Sequence, residues 1–146
     1  MRVLLCILVV SGCRAPDFTT RHRVAVFITP CGDYDYPSQE DLELAYDYYL
    51  ENGSQALGVT STAVRGAVFD TELTLRCGPW PDGRCGYRVG DTIEIWWDVK
   101  WDFILFHEHS HIARERETGD SDSHHRDIDF WKGNKAMEIT YVEGLR

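Results

Sequence analysis

The stretches Asp91-Thr92-Ile93-Glu94-Ile95-Trp96-Trp97 and, a few residues on, His107-Glu108-His109-Ser110-His111 decide how this chain is read. The first puts Ile93, Ile95 and Trp97 on one face, the period-two pattern of a strand. The second follows Phe103, Ile104 and Phe106 in a run that stops at Gly119, which predicts a helix to Thr118, capped at its start by Asp98 or Asp102. Helix positions four apart are rotated by about 40° and stacked one turn along. His107 and His111 therefore project side by side and can share one metal ion. Glu108, about 100° further round, can reach a water at that ion and take its proton; this is the H-E-x-x-H pattern of zinc sites. His109 is about 200° from His107 and faces away, as a surface histidine or one that supports the site from behind.

A catalytic zinc site needs a third protein ligand and an open position. After the break at Gly119 comes Asp120-Ser121-Asp122-Ser123-His124-His125, a turn that can bring a histidine back to the same metal. His125, at the apparent start of the next helix, is the first choice and His124 the alternative. Asp122 fits as the carboxylate that orients a ligand imidazole through its other nitrogen. The oxyanion donor is unassigned, with Tyr141, Tyr87 and Arg126 as candidates. Trp96, Trp97 and Trp101 read as packing residues; an outward Trp96 beside Glu94 would instead line a substrate subsite.

Elsewhere, 23–29 reads as a strand ending at Pro30, and Asp33-Tyr34-Asp35-Tyr36 as an exposed turn. Ser38 is an N-cap with Glu40 and Asp41 in the first turn; Leu42, Ala45, Tyr46 and Tyr49 recur at helical spacing, and Asn52-Gly53 closes a helix over 38–52. The segments 63–69 and 72–76 read as strands. A helix from His125 through Trp131 ends at Gly133-Asn134, and 135–146 is ambiguous. The expected fold class is α+β, a mainly antiparallel or mixed sheet packed on two or three helices.

The chain has 146 residues, 43% of them apolar, and a net charge of −9. That is one domain with an ordinary core, and a charge that argues against a nucleic-acid partner. At the N-terminus, Arg2 precedes the apolar run 3–10, which is too short to span a bilayer as a helix. Val10-Ser11-Gly12-Cys13 resembles the bacterial lipobox, in which the cysteine is acylated. This implies a signal peptide over 1–12, lipidation at Cys13, a tether over 13–22, a domain over 23–146, and a lipid-anchored place in the bacterial cell envelope. Arg14 after the cysteine is what lipoproteins passed on to an outer membrane, facing the periplasm, usually have. An ordinary secretory signal or an apolar N-terminal strand is the competing reading. Of the remaining cysteines, Cys77 and Cys85 bracket Gly78-Pro79-Trp80-Pro81-Asp82-Gly83-Arg84, whose turn residues suggest a disulfide between the two, with Cys31 left over. The alternative is three free thiols.

The strand over 91–97 followed by the His107-Glu108-x-x-His111 helix resembles the core of the zincin metallopeptidases, over about 35 residues from Asp91 to His125. The resemblance implies a small sheet packed on the active-site helix and one or two further helices, with an edge strand along which a peptide or protein substrate lies. It also implies Zn²⁺ on His107, His111 and His125, with Glu108 as general base. The longer metzincin pattern would need glycine at 114 and histidine at 117, where the chain has Arg114 and Glu117. The second-helix glutamate of gluzincins has no clear counterpart, although Glu138 is a candidate. The layout is similar to small bacterial lipoproteins of zincin type. The expected function is thus a membrane-tethered zinc peptidase; the alternative is a zinc-binding envelope lipoprotein without turnover.

Overall fold

The computed structural model describes residues 14–30, 32, 36–78, 81–97 and 100–144. The signal segment, Cys13, Cys31, Asp98 and most of the 33–36 turn lie outside the described residues. The fold is α+β: among the described residues, five strands form one mixed sheet, with four helices.

Strands β1 (Phe18–Thr19), β2 (Ala25–Ile28), β3 (Glu72–Arg76), β4 (Gly86–Val89) and β5 (Thr92–Trp96) take the spatial order β1-β2-β3-β5-β4. The three central strands run parallel, and the two edge strands pair antiparallel to their neighbours. Val26, Leu73, Leu75, Ile93 and Ile95 point into the core, while their alternates Thr74 and Glu94 are half-buried. One face of the sheet is therefore the buried one, the arrangement of a two-layer α+β domain.

Residues 14–22, expected as a tether, belong to the domain. Phe18 and Thr19 pair with β2, Thr20 and His22 are buried, and Arg14 reaches Asp17 and the Ile28 carbonyl.

Helix α1 (Gln39–Leu57) starts as expected: the Ser38 hydroxyl accepts from the Asp41 N–H, and the Asp41 carboxylate accepts from the Ser38 N–H. It runs past Asn52-Gly53 to a left-handed Gly58. Gly53 stays helical because it faces α2 closely; a Cβ there would meet Val64 Cγ1 at 3.2 Å. The segment expected as a strand over 63–69 is instead helix α2 (Ser61–Val68), capped by Thr60. Its buried residues Ala63, Val64, Ala67 and Val68 share one helical face, and the Thr60 hydroxyl accepts from the Ala63 N–H. Cap and period outweigh β-branched content here.

Helix α3 (Trp101–Thr118) ends at left-handed Gly119, as expected. Its N-cap position is Lys100, also left-handed, with no side-chain cap; Asp102 lies inside the first turn. Helix α4 (Ile128–Gly144) does not stop at Gly133-Asn134. Gly133 is needed inside it, because a Cβ there would overlap the Ala56 carbonyl oxygen of α1.

The disulfide expectation needs correcting. Cys85 is a free thiol, whereas Cys77 is disulfide-bonded. The sheet order gives the reason: β5 lies between β3 and β4, and the Trp96 N–H donates to the Cys85 carbonyl while Arg76 pairs with Trp96 from the other side. Residues on opposite sides of one strand are about 10 Å apart, beyond the Cα span of a disulfide.

Candidate metal centre

Helix α3 packs against α2, β5 and β4, and this fixes which way its histidines point. His107 and His111 share the face toward α4 and the loop after Gly119. The Nε2 atoms of His107 and His111 are 3.3 Å apart, and those of His111 and His125 are 3.2 Å apart. One ring nitrogen from each of the three lies within 4.8 Å of the others. Three imidazole nitrogens at about 2.0–2.1 Å from a tetrahedral zinc stand about 3.3 Å apart, so the set converges at a metal-binding separation. The three histidines are close enough to bind a metal ion.

His124 and His125 are both exposed, but only His125 joins the cluster, which takes the alternative third histidine out of it. The turn delivers His125 through two non-glycine left-handed residues, Asp122 and His125 itself, and the His125 N–H donates to the Asp122 carbonyl at 2.8 Å. His111 Nδ1 lies 2.8 Å from the Ser121 carbonyl. A carbonyl only accepts, so Nδ1 carries the proton and Nε2 presents its lone pair to the cluster. Burial, followed by the neighbouring histidines, holds His107 down to about 3; burial also lowers His111. Both rings are thus neutral and able to ligate.

Asp122 does not take the orienting role expected of it, because no ligand imidazole donates to its carboxylate. It accepts instead from the backbone N–H groups of Arg126 and Asp127 at 2.9 and 2.8 Å and from the Trp131 indole at 2.9 Å. The Asp127 N–H is the first cause holding its carboxyl well below the usual range, against the opposing effect of burial. Its work is to shape the loop that presents His125. The imidazole-orienting acceptor is the Ser121 carbonyl.

His109 is likewise neither at the surface nor behind the metal ligands. It is wholly buried between Ala67, whose carbonyl is 2.7 Å from Nδ1, and the Tyr46 hydroxyl, 3.2 Å from Nε2. It is a core histidine tying α3 to α1 and α2, kept neutral by burial at about 4.

Glu108 is buried beside the cluster, and burial raises its carboxyl to about 7 against the pull of Arg88 and Arg84. Its room comes from the edge strand. A Cβ at Gly86 would lie 2.5 Å from Glu108 Oε1 and 2.6 Å from Ile104 Cγ2. A cleft of about 460 Å³ opens at this point, lined by Gly86, Phe103, Ile104, His107, Glu108, His125 and Glu138, with Arg84 and Cys85 at its β4 side.

Several contributors were not visible as site residues in the sequence. Trp131 packs on all three histidines, with ring centroids 4.4 to 4.9 Å away. Its signal is only its place on the helix after the histidine turn. Gly86 opens the unexpected strand β4, and Arg84 lies in the loop just before it. The oxyanion candidates fare differently: Tyr141 packs on Phe106 and Tyr48, Arg84 lies over the Tyr87 ring, and Arg126 lies beside Asp120 and Asp122. None of the three lines this cleft, nor do Trp96, Trp97 or Trp101, but Tyr87 lines an adjoining cavity with Glu108 and His111. Comparison with protein-family models, curated proteins and solved structures found no match to this chain.

Proposed function

We propose that this protein is a zinc-dependent peptidase tethered to the bacterial cell envelope through a lipid on Cys13. The observation that carries the reading is the convergence of three imidazoles beside a buried carboxylate that opens onto a cleft. Three nitrogen ligands with one open position are the usual protein set of a catalytic zinc. His107, His111 and His125 would hold the ion, which when bound supplies Lewis acidity toward a water and a carbonyl oxygen. Glu108 takes the proton from the attacking water and returns it to the leaving amine, while Trp131 and the Asp122 loop keep the ligand rings in place. The outer edge of β4 gives an extended peptide a strand to pair with, alongside Gly86.

Among the described residues no helix is long and apolar enough to cross a membrane. Membrane attachment in this reading therefore rests on the lipobox at 10–13.

The test is hydrolysis of a peptide library by the zinc-loaded chain, with Glu108→Gln alongside. Cleavage lost in Glu108→Gln while zinc is retained supports the peptidase. Zinc retained with no cleavage by wild type leaves a zinc-binding lipoprotein without turnover.

A further inference from the structure

One buried carboxylate in the cleft has no part in the metal chemistry. Glu138, on α4, is 5% exposed and lines the same cavity as His107, His125, Phe103 and Ile104. Phe103 and Ile104 lie one turn before His107 and Glu108, so Glu138 is at the end of the cleft toward the start of α3. The group is held rigidly from behind. The Tyr49 hydroxyl meets Ser110 Oγ at 3.3 Å, and Ser110 donates to Asn134 Oδ1 at 2.6 Å. That bond fixes the orientation of the Asn134 amide, whose NH₂ then donates to Glu138 Oε1. Among the described residues, Asn134 is the one hydrogen-bond donor within 3.5 Å of the Glu138 carboxylate. An ionised carboxylate offers about four acceptor sites.

The nearest cation holds the group only loosely. The Lys135 ammonium is 3.7 Å from Oε2, beyond hydrogen-bonding distance, and lies over the Phe103 ring at 4.4 Å. Lys135 is 60% exposed, so this pair is weak and exchangeable. Arg84, across the cleft, is committed to Asp82. Glu108 adds a second carboxyl to the wall, and Asp102 adds further negative potential at Glu138.

We infer that Glu138 selects substrates with a cationic side chain, lysine or arginine, next to the scissile bond, the ammonium or guanidinium meeting the carboxylate while the aliphatic stem lies on Phe103 and Ile104. A buried carboxylate at the end of an apolar-walled slot leaves an uncharged side chain with an unpaired acceptor, the situation in which a polar site discriminates strongly. The inference rests on the peptidase reading for the words "scissile bond", but the cation site itself can be tested without turnover.

The experiment is an NMR titration of the full chain at pH 8, above the value of about 7 to which burial raises the Glu138 carboxyl, with zinc content measured on the same sample. The two probes are Nα-acetyl-lysine N-methylamide and its norleucine counterpart, which lacks only the charged head. The lysine probe should bind about tenfold or more tightly, and Glu138→Gln should abolish the preference. Lys135→Met, at an exposed position that should tolerate exchange, removes the competing cation and should strengthen lysine binding. Equal binding of the two probes, or binding of neither, overturns the cation site whatever the zinc content. A lysine preference in a chain that cleaves nothing keeps the site and overturns only the peptidase.

Discussion

The Trp131 indole N–H donates to Asp122 Oδ2 at 2.9 Å, and the same ring packs against His107, His111 and His125. One side chain of α4 thus ties down the loop that supplies the third histidine and also walls the histidine cluster. Asp122→Ala removes three acceptor contacts at once, freeing a turn that needs two left-handed residues to hold its shape. Zinc affinity should fall by about 10- to 100-fold, read by competition with a chromophoric chelator. Trp131→Phe, which keeps the ring and loses the N–H, should fall by less.

Gly86 gives Glu108 its room. Gly86→Val forces the carboxylate and Ile104 to move, because even a Cβ lies too close to both. Peptide cleavage should drop sharply while zinc content stays near wild type. Equal loss of both would mean that the strand, not the carboxylate, had been disturbed.

Gly133 makes a different point. Gly133→Ala places a methyl group against the Ala56 carbonyl, so α1 and α4 must separate. The cost should be about 1–3 kcal/mol or more, measured by urea unfolding. Glycine inside a helix reads as a stop in sequence; here it marks a close helix crossing. The same limit applies elsewhere. The H-E-x-x-H helix and its end at Gly119 were legible because spacing and cap are local. Helix α2 was missed because Val64 and Val68 suggest a strand until Thr60 is seen as its cap. The Cys77–Cys85 pairing failed because no local pattern shows that β5 inserts between β3 and β4. His125 was legible as a member of the histidine cluster, but Trp131, Gly86 and Glu138 join the site only through tertiary packing.

The cysteines give a direct check on that sheet order. A thiol reagent should label Cys85 in the folded chain and Cys77 only after reduction. Cys85→Ser should leave stability unchanged, whereas Cys77→Ser should cost about 2–4 kcal/mol.

Burial raises the Glu138 carboxyl to about 7, with Asn134 and Lys135 pulling it back and Asp102 adding to the rise. Between the usual carboxylate range and about 7 the folded state holds more protons than the unfolded chain, so this group makes stability fall as pH rises through that window. Glu138→Gln removes the dependence. Its stability relative to wild type should therefore be greater at pH 8 than at pH 5 in paired urea titrations. A constant difference across that range would show that the carboxyl is not held in its neutral form.

The central claim is a metal centre built from His107, His111 and His125, and the most direct test is zinc stoichiometry of the purified chain with single alanine variants. The proposed zinc site predicts about one zinc per wild-type chain, retained in His124→Ala and lost in His107→Ala, His111→Ala and His125→Ala. A folded wild-type chain that takes up no zinc when metal is supplied, or a site lost with His124→Ala and kept with His125→Ala, would contradict it.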